Sequence, residues 1–269
     1  MVRTVLVTGA DSGIGLATVK ELIREGFDVV GLVVDDQAAG TLTTEVPECR
    51  VVVADLSDPA ARASVAADLR PWGIVHNAGY MNAGQIRDVP LDDARRQFEV
   101  MVIAPTDLTR QALPGMIRHG QGRIVHVTSS AVHTATPLTG WYQAAKSALR
   151  EINDSLRLEL HATGVDVVDI EPGGYRTGIW DGARKELSER RAGSSRQDLY
   201  DRVLDRMERM EPMMGDPVEV GRAIARALTQ GDPPAHIRIG PGARWLRVLD
   251  EVMPDRLSDR WMTLAAGVR

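Results

Sequence analysis

The sequence has one cysteine, two phenylalanines and no long uninterrupted apolar run among its 269 residues. A lone Cys49 cannot close an intrachain disulfide or form a thiolate zinc site, and nothing else in the sequence indicates a metal site. No window approaches the roughly 18 apolar residues that a membrane span requires. The first ten residues show no basic segment followed by a cleavable apolar stretch. These absences predict a cytoplasmic protein without a membrane span.

The charge balance also excludes classes of partner. The chain carries 32 Lys and Arg against 37 Asp and Glu, a formal net charge of −5. Without a basic surplus, binding to nucleic acid or to an anionic membrane surface is not expected. A composition that is 43% hydrophobic and 26% charged is ordinary for a folded globular protein and excludes global disorder.

Apolar runs rich in β-branched residues alternate along the chain with longer amphipathic segments. The predicted strands are continuous apolar runs at 4–8, 29–34, 51–54, 74–76, 124–128, 165–170 and 236–239. The predicted helices have apolar residues three and four apart and cover 14–25, 59–69, 91–118, 142–162 and 218–228. Such strands are typical of sheets covered on both faces, and repeated βα units join parallel strands. The sequence therefore predicts a single α/β domain, a doubly wound, Rossmann-like parallel sheet with helices on both faces.

One segment interrupts this alternation. Between Thr177 and Pro217 the chain inserts about forty residues where a βα unit needs only a short loop. Apolar residues recur there at steps of three and four, at Leu199, Val203, Met207, Met210 and Met214. This stripe predicts either a permanently packed helix or a helical lid, inserted after the sixth strand at 178–214, over an apolar substrate. The remainder, 240–269, is interpreted as a C-terminal extension.

A glycine-rich turn follows the first predicted strand and opens a helix. It reads Thr8-Gly9-Ala10-Asp11-Ser12-Gly13-Ile14-Gly15. Glycine lets the chain turn sharply and brings backbone N–H groups, together with the positive end of a helix, against a pyrophosphate. The spacing G-x-x-x-G-x-G differs from the general G-x-G-x-x-G fingerprint, and glycine also serves other tight connections. Because the turn follows strand one of a βαβ unit, it indicates a dinucleotide site.

Polar and small residues follow three further strands. Asp55-Leu56 comes after the third strand, where the carboxylate can accept from an adenine amino group, while Asp58 before Pro59 suits a helix cap better. Asn77-Ala78-Gly79 comes after the fourth and leaves room for a cofactor.

The end of the second strand bears on the choice of cofactor. It has Val33-Val34, then Asp35-Asp36, and no nearby Arg to bind a 2′-phosphate. Two carboxylates would repel that phosphate, so the sequence weakly favours NAD(H) over NADP(H), with Val34 in the site.

A set of proton-handling residues lies further along the chain. Ser129-Ser130 follows the fifth strand, and Tyr142 and Lys146 are four apart on one helical face. A cation beside a phenol lowers its pKa, and such a Tyr exchanges a proton with an alcohol or a carbonyl, while a Ser can hydrogen-bond the same oxygen. Y-x-x-x-K alone is a common chance pattern. It indicates a catalytic pair here only because the other motifs accompany it.

In this order the motifs resemble the short-chain dehydrogenase/reductase family over about 1–180. The matching segments are TGADSGIG at 8–15, DL at 55–56, NAG at 77–79, TSS at 128–130, YQAAK at 142–146 and EPGGYRT at 171–177. Two tail segments, at 240–247 and 253–260, are less specific and are similar to the subgroup that includes hydroxysteroid and retinol dehydrogenases. The resemblance implies dimers or tetramers, often through two long helices at about 91–118 and 142–162.

The resemblance also implies a role for each matching residue. The pyrophosphate would lie against Gly9, Gly13, Ile14 and Gly15, together with Asp11 and Ser12. Other cofactor contacts would come from Asp55, Leu56, Asn77, Ala78, Gly79, Pro172, Gly173 and Thr177. Tyr142 would be the acid/base and Lys146 would hold the nicotinamide ribose. The T-S-S pattern selects Ser130 as the catalytic serine, although the usual distance to the Tyr selects Ser129.

Four residues are of interest beside this pattern. Met101 stands where relatives often have an Asn that anchors a water, and a thioether cannot replace it as a donor. Local breaking of the helix would free a backbone carbonyl for that water instead. His76 and His126 are interpreted as hydrogen-bonded structural residues, and His133 is open to either a structural or a substrate-facing role.

The sequence thus predicts an NAD(P)-dependent oxidoreductase that interconverts a secondary alcohol and a ketone on a fairly apolar small molecule. A cofactor-binding sensor or scaffold with little turnover is the alternative, and Met101 is the feature in its favour. An epimerase or dehydratase would need further acid/base groups, for which the sequence offers no clear residue.

Overall fold

The computed structural model describes residues 2–243 and 253–265. Within them, seven strands form one parallel sheet in the order β3-β2-β1-β4-β5-β6-β7. The strands are β1 (Thr4–Thr8), β2 (Asp28–Val33), β3 (Arg50–Val53), β4 (Gly73–His76), β5 (Gly122–Val127), β6 (Val165–Pro172) and β7 (His236–Ile239). The order reverses between β1 and β4, which is where open α/β sheets bind their ligands.

Helices connect the strands and cover the sheet. They are α1 (Gly13–Arg24), α2 (Asp36–Glu45), α3 (Pro59–Leu69), α4 (Leu91–Phe98), α5 (Ala104–His119), α6 (Gly140–Glu159), α7 (Ile179–Arg191), α8 (Gln197–Met210), α9 (Pro217–Thr229) and α10 (Asp255–Ala265). A π-helix, Glu99–Ile103, joins α4 to α5, and 3₁₀ turns occupy Ser130–His133 and Glu211–Met213. No helix in the described part of the chain is both long enough and apolar enough to cross a membrane.

Local sequence explains where several helices begin. Asp35, Asp58 and Asp216 each accept a hydrogen bond from a backbone N–H in the first turn of α2, α3 and α9. A cap of this kind contributes on the order of 1 kcal/mol. Pro59 and Pro217 occupy the first helical position, where the missing N–H costs no intrahelical bond. The assignment of Asp58 as the cap of α3 is therefore correct.

The core consists of two layers on the faces of the sheet and a third cluster beyond its edge. Val5 and Val7 pack on the side of α1 and α9, and Leu6 packs on the opposite side with α5 residues such as Leu108. Alternate residues of one strand thus enter different layers. The third cluster joins α6 to α7 and α8, and Tyr142 is part of it.

The predicted doubly wound sheet is confirmed, with three differences in detail. Helix α2 was not predicted, because its sequence is polar and only Leu42 in it is buried. The predicted helix 91–118 is interrupted by the π-helix. The predicted lid at 178–214 consists of two helices, α7 and α8, and its apolar stripe lies on α8 and the turn that follows. Much of the tail segment 240–247, including Trp245, lies outside the described residues.

Candidate active site

A cavity of about 960 Å³ opens where the strands on either side of the β1–β4 reversal end. The predicted residues that line it are Gly9, Asp11, Ser12, Gly13, Ile14, Val34, Asp55, Leu56, Asn77, Ala78, Gly79, Ser130, Tyr142, Lys146, Pro172, Gly173 and Thr177. Gly15 does not line it. A Cβ on Gly15 would lie 1.9 Å from the Gly9 carbonyl oxygen, so this glycine permits α1 to pack against the loop.

The glycine loop has the form that a diphosphate requires. Gly9 and Gly13 have φ angles of +63° and +51°, in the left-handed region that favours glycine. Ser12 is the N-cap residue of α1, yet its side chain makes no capping hydrogen bond. The first N–H groups of α1 therefore remain available to an anion at the positive end of the helix. These features fit the diphosphate of a dinucleotide cofactor.

Asn77 holds this loop to the end of β4. Its Nδ2 donates to the carbonyl oxygens of Thr8 and Gly9, at 3.0 Å each. In return the Thr8 hydroxyl accepts from the backbone N–H groups of Asn77 and Ala78, also at 3.0 Å. The N-A-G motif thus fixes the two sides of the cleft to one another, a role that the sequence reasoning did not assign to it.

The adenosine end of the cleft contains a residue that the sequence analysis missed. Arg96, on α4, lines the cavity and forms a 2.9 Å ion pair with Asp55, which also accepts from the Ser57 backbone N–H at 2.8 Å. The two residues are 41 positions apart in the sequence, so no local sequence pattern predicts the pair. At the end of β2, Val34 is 54% exposed. Asp35 directs its carboxylate to the backbone of α2 and is not among the residues that line the cavity.

Tyr142 and Lys146 lie one turn apart near the start of α6, and both are buried in the cavity wall. The Ser129 side chain is the polar neighbour that acts to lower the pKa of the Tyr142 phenol by hydrogen bonding. Ser130 begins the following 3₁₀ turn and is buried, although both serines border the cavity. The interaction with the phenol favours Ser129, and the choice of Ser130 from the T-S-S pattern stays a prediction.

The electrostatics differ from the sequence expectation. Burial raises the pKa of Tyr142 to about 12, and the hydrogen bond with Ser129 offsets this only in part. Burial lowers the pKa of Lys146 to about 8, while the Asp169 carboxylate raises it. The Lys146 ammonium donates a 2.6 Å hydrogen bond to the Val127 carbonyl oxygen, and it lies 5.9 Å from the centre of the Tyr142 ring. The prediction of a lowered pKa for the phenol was therefore wrong for this geometry, because burial is the dominant influence on Tyr142 and the group that opposes it is Ser129, not Lys146.

Met101 lies in the π-helix between α4 and α5. Its side chain is buried at 1% exposure and borders Gly79 of the N-A-G segment. The helix is locally wound with i→i+5 hydrogen bonding, and the Ala104 N–H bonds to the Glu99 carbonyl oxygen. Such bulges change the normal backbone pairing and occur frequently at functional sites. The local break that the sequence analysis considered is present.

The three histidines of interest are all structural. His76 contacts the Thr109 hydroxyl at 2.8 Å and stacks on His126 with ring centres 4.9 Å apart. His126 contacts Asn153 Oδ1 at 2.9 Å, and burial lowers its pKa to about 4. His133 is buried and contacts Glu171 at 2.7 Å, away from the residues that line the cavity. The proposal that His133 faces substrate is therefore not supported.

A buried charge cluster lies behind the site, at the ends of β6 and β7. Asp169, Glu171 and His236 present ligand-type atoms within 4.8 Å of one another. Burial alone would raise the pKa of Glu171, but His133, His236 and Arg238 hold it well below its usual range. Arg238 is 2.9 Å from Glu171, and the Thr128 hydroxyl donates to Asp169 at 2.5 Å. These carboxylates are thus already compensated by protein groups.

The segment after β6 covers the remaining side of the cavity. The α8 residues in its wall are Val203, Arg206, Met207 and Met210, and α7 contributes Ile179, Trp180, Gly182, Ala183, Glu186 and Leu187. Leu199 and Met214, which complete the predicted stripe, are buried. Trp261 and Met262 of α10 also line the cavity. Trp141 packs edge-on against Phe98 and is not among the residues that line the cavity.

Known proteins share both this sequence and this fold. The family described as short chain dehydrogenase matches residues 3–188. An NADPH-dependent 3-dehydrocapnine reductase of Ornithobacterium rhinotracheale is 31% identical, over 96% of this chain and 95% of that protein. The 11-beta-hydroxysteroid dehydrogenase type 2 of Oryctolagus cuniculus is 28% identical, over 97% of this chain and 69% of that one.

Solved structures agree with these relatives. A short-chain dehydrogenase from Streptomyces avermitilis has a TM-score of 0.80 and 25% identity, covering 100% of this chain and 99% of that one. A serine dehydrogenase with the same fold, described as complexed with NADP⁺, has a TM-score of 0.76 and 22% identity, covering 88% of this chain and 94% of its own. The glycine loop, the Tyr-Lys pair and these similarities lead to one conclusion: the chain belongs to the short-chain dehydrogenase/reductase family and is an NAD(P)-dependent oxidoreductase related to the hydroxysteroid dehydrogenases.

Proposed function

We propose that this enzyme interconverts a secondary alcohol and a ketone on a fairly apolar small molecule, with Tyr142 as the acid/base. The observation that carries the proposal is the common cavity, in which Tyr142 and Lys146 line the same space as the anion-binding end of α1. A bound nicotinamide cofactor supplies or accepts the hydride. The cavity wall toward the lid is mostly apolar, which suits an apolar substrate.

The side chains of the cavity transfer the proton, orient the substrate and hold the cofactor. In reduction, Tyr142 donates its proton to the carbonyl oxygen, and its raised pKa keeps it protonated near neutral pH. Ser129, hydrogen-bonded to the same phenol, orients the substrate oxygen and stabilises charge that develops on it. Lys146 contributes a positive charge behind the phenol and would donate to the ribose of a bound cofactor. Asp11, Ser12, Ile14 and Thr177 line the cavity and would hold that cofactor together with the glycines.

A cofactor-binding sensor is the second candidate, and the buried thioether of Met101 is the observation that favours it. The test begins with nicotinamide fluorescence on titration with NADH and with NADPH, followed by turnover of a panel of apolar ketones. The proposal expects binding and turnover. Tight binding without turnover of any ketone would instead favour the sensor.

The preference for NAD(H) is retained as a proposal that this titration tests. It depends on the neutral pair Val33-Val34 and the absence of a basic residue just after β2. The NADP⁺ complex of a structural relative gives it no support. A lower dissociation constant for NADPH would contradict it. A basic residue from another element would then have to bind the 2′-phosphate, and Arg96 in the cavity wall would be the first residue to substitute.

We further propose a cytoplasmic homodimer or homotetramer that associates through α5 and α6. Ile117 on α5 and Leu158 on α6 are 44% and 69% exposed, and a second subunit packed on these helices would cover both side chains. Sedimentation velocity of the wild type and of Leu158→Glu tests this. A wild-type monomer at micromolar concentration would contradict it.

A further inference from the structure

The lid places one cation in the wall of the substrate cavity. Arg206 is partly buried on α8 and lines the cavity beside Val203, Met207 and Met210. Val203 and Met210 lie three residues before and four residues after Arg206, on the same face of α8, and Met207 follows Arg206 directly; all three are apolar. A guanidinium beside such a wall offers five N–H donors to an acceptor that enters the cavity.

The other arginines of the lid have acceptors within the protein. Arg184 pairs with Asp181 and Glu211, Arg190 with Glu186 and Asp93, Arg191 with Asp201, Arg196 and Arg202 with Asp198, and Arg209 donates to the Asp205 carbonyl oxygen. Across residues 2–243 and 253–265, Arg206 makes no hydrogen bond or ion pair. Arg206, the lid arginine that lines the cavity, therefore has no partner in the described part of the chain.

The one acidic residue of the lid that shares this cavity wall does not supply the missing acceptor. Glu186 on α7 also lines the cavity, but its carboxylate is paired with Arg190, one turn along the same helix. Asp55, at the adenosine end, is paired with Arg96. The cavity thus combines apolar side chains with a half-buried cation that has no partner in the described part of the chain and is open to a ligand in the cavity. Arginine is suited to an oxyanion such as a carboxylate, which it can bind through two parallel hydrogen bonds.

We propose that Arg206 binds the anionic group of an amphipathic substrate, a molecule with an apolar body, a ketone or secondary alcohol for Tyr142, and a terminal oxyanion. This inference rests on the proposed function and deepens it by naming the substrate class. The cofactor phosphates are a second source of the same chemistry. The experiment below therefore measures cofactor binding separately.

The test compares oxo carboxylic acids of medium chain length with their methyl esters, which differ only in charge at one end. The proteins are the wild type, Arg206→Met, Arg206→Lys and the matched control Arg209→Met, which removes an exposed arginine from the same helix. Binding of each acid and ester is measured by calorimetry on the complex with oxidised cofactor, which cannot reduce a ketone, and steady-state turnover is measured separately with NADPH. The binding measurement keeps the test valid whether or not the enzyme turns over.

We expect wild type to bind and reduce the acid about tenfold better than the ester, a typical value for one charge-assisted contact. Arg206→Met brings this ratio to about one, Arg206→Lys restores part of it, and Arg209→Met leaves it unchanged. NADPH affinity stays the same in all four proteins. An acid-to-ester ratio near one in wild type would overturn the proposal, as would weaker NADPH binding in Arg206→Met.

Failure of the proposed function has a different signature. If no ketone is reduced but the acid still binds about tenfold more tightly than the ester through Arg206, the anion site stands and the catalytic assignment fails. If ketones are reduced in a Tyr142-dependent manner without any preference for the acid, the catalytic assignment stands and the anion site fails.

Discussion

The ammonium of Lys146 donates a 2.6 Å hydrogen bond to the carbonyl oxygen of Val127, the last residue of β5. This contact ties the catalytic face of α6 to the centre of the sheet. It also leaves Lys146 buried behind Tyr142, in a place where its charge is costly to maintain. The pH dependence of the enzyme follows from this position.

Ketone reduction should decline as the pH rises through about 8, since burial lowers the pKa of Lys146 to about that value. The charged form is present below this pH and is lost above it, whereas the phenol of Tyr142 stays protonated throughout the range. The measurement is kcat/KM for reduction between about pH 6 and pH 10. Asp169 raises the pKa of Lys146, so Asp169→Asn should move the decline to lower pH. A profile that is flat to pH 10, or an unmoved decline in the variant, would contradict this assignment.

The two adjacent serines should differ in their effect on turnover. Ser129→Ala removes the hydroxyl that bonds to Tyr142, and a loss of about 10²–10³ in kcat is expected, as for a deleted oxyanion donor. Ser130→Ala is the matched control and should have a much smaller effect on kcat. Parallel NADPH titrations show whether the cofactor site is intact. A larger loss in the Ser130 variant would restore the assignment made from the T-S-S pattern.

Met101→Asn should change turnover little. The π-helix around Met101 alters the backbone pairing that an ordinary helix would have, so main-chain carbonyls can hold the water that relatives anchor with an amide. Solvent isotope effects and pH–rate profiles on both proteins provide the measurement. A clear rise in turnover with unchanged cofactor affinity would show that proton release through this helix limits the wild type.

Hydrogen exchange across 178–214 should slow when cofactor and substrate are both bound. Val203, Met207 and Met210 line the cavity, so a bound apolar molecule adds contacts to α8 that the free protein lacks. The exchange of α9, which packs on α1, serves as the internal control. Equal exchange in α8 with and without ligands would show a permanently packed helix pair.

Most of the sheet could be predicted from sequence because parallel strands buried on two faces leave continuous apolar runs. β1 and β7 have the predicted bounds, and the other strands differ by one or two residues at either end. The polar helix α2 could not be predicted in this way, since Leu42 is its one buried residue and the cap at Asp35 was considered only for its charge.

The candidate site likewise has features that the sequence predicts and features that it does not. Residues fixed by local backbone requirements, such as the glycines after β1 and the Tyr-Lys pair on α6, were predictable. Contacts between distant segments were not, as the Arg96–Asp55 pair and the choice between Ser129 and Ser130 show. The raised pKa of Tyr142 could not be predicted from the sequence either, because the burial that raises it depends on how α6 packs against the lid.

The central claim is that Tyr142 transfers the proton. Single-turnover reduction by Tyr142→Phe, measured with saturating cofactor beside an NADPH titration of the same protein, tests it most directly. The account predicts a loss of about 10²–10⁴ in the rate, with cofactor affinity within about twofold of wild type, because the variant lacks the phenolic hydroxyl and little else. A Tyr142→Phe protein that binds NADPH normally and reduces the ketone at near the wild-type rate would contradict the account.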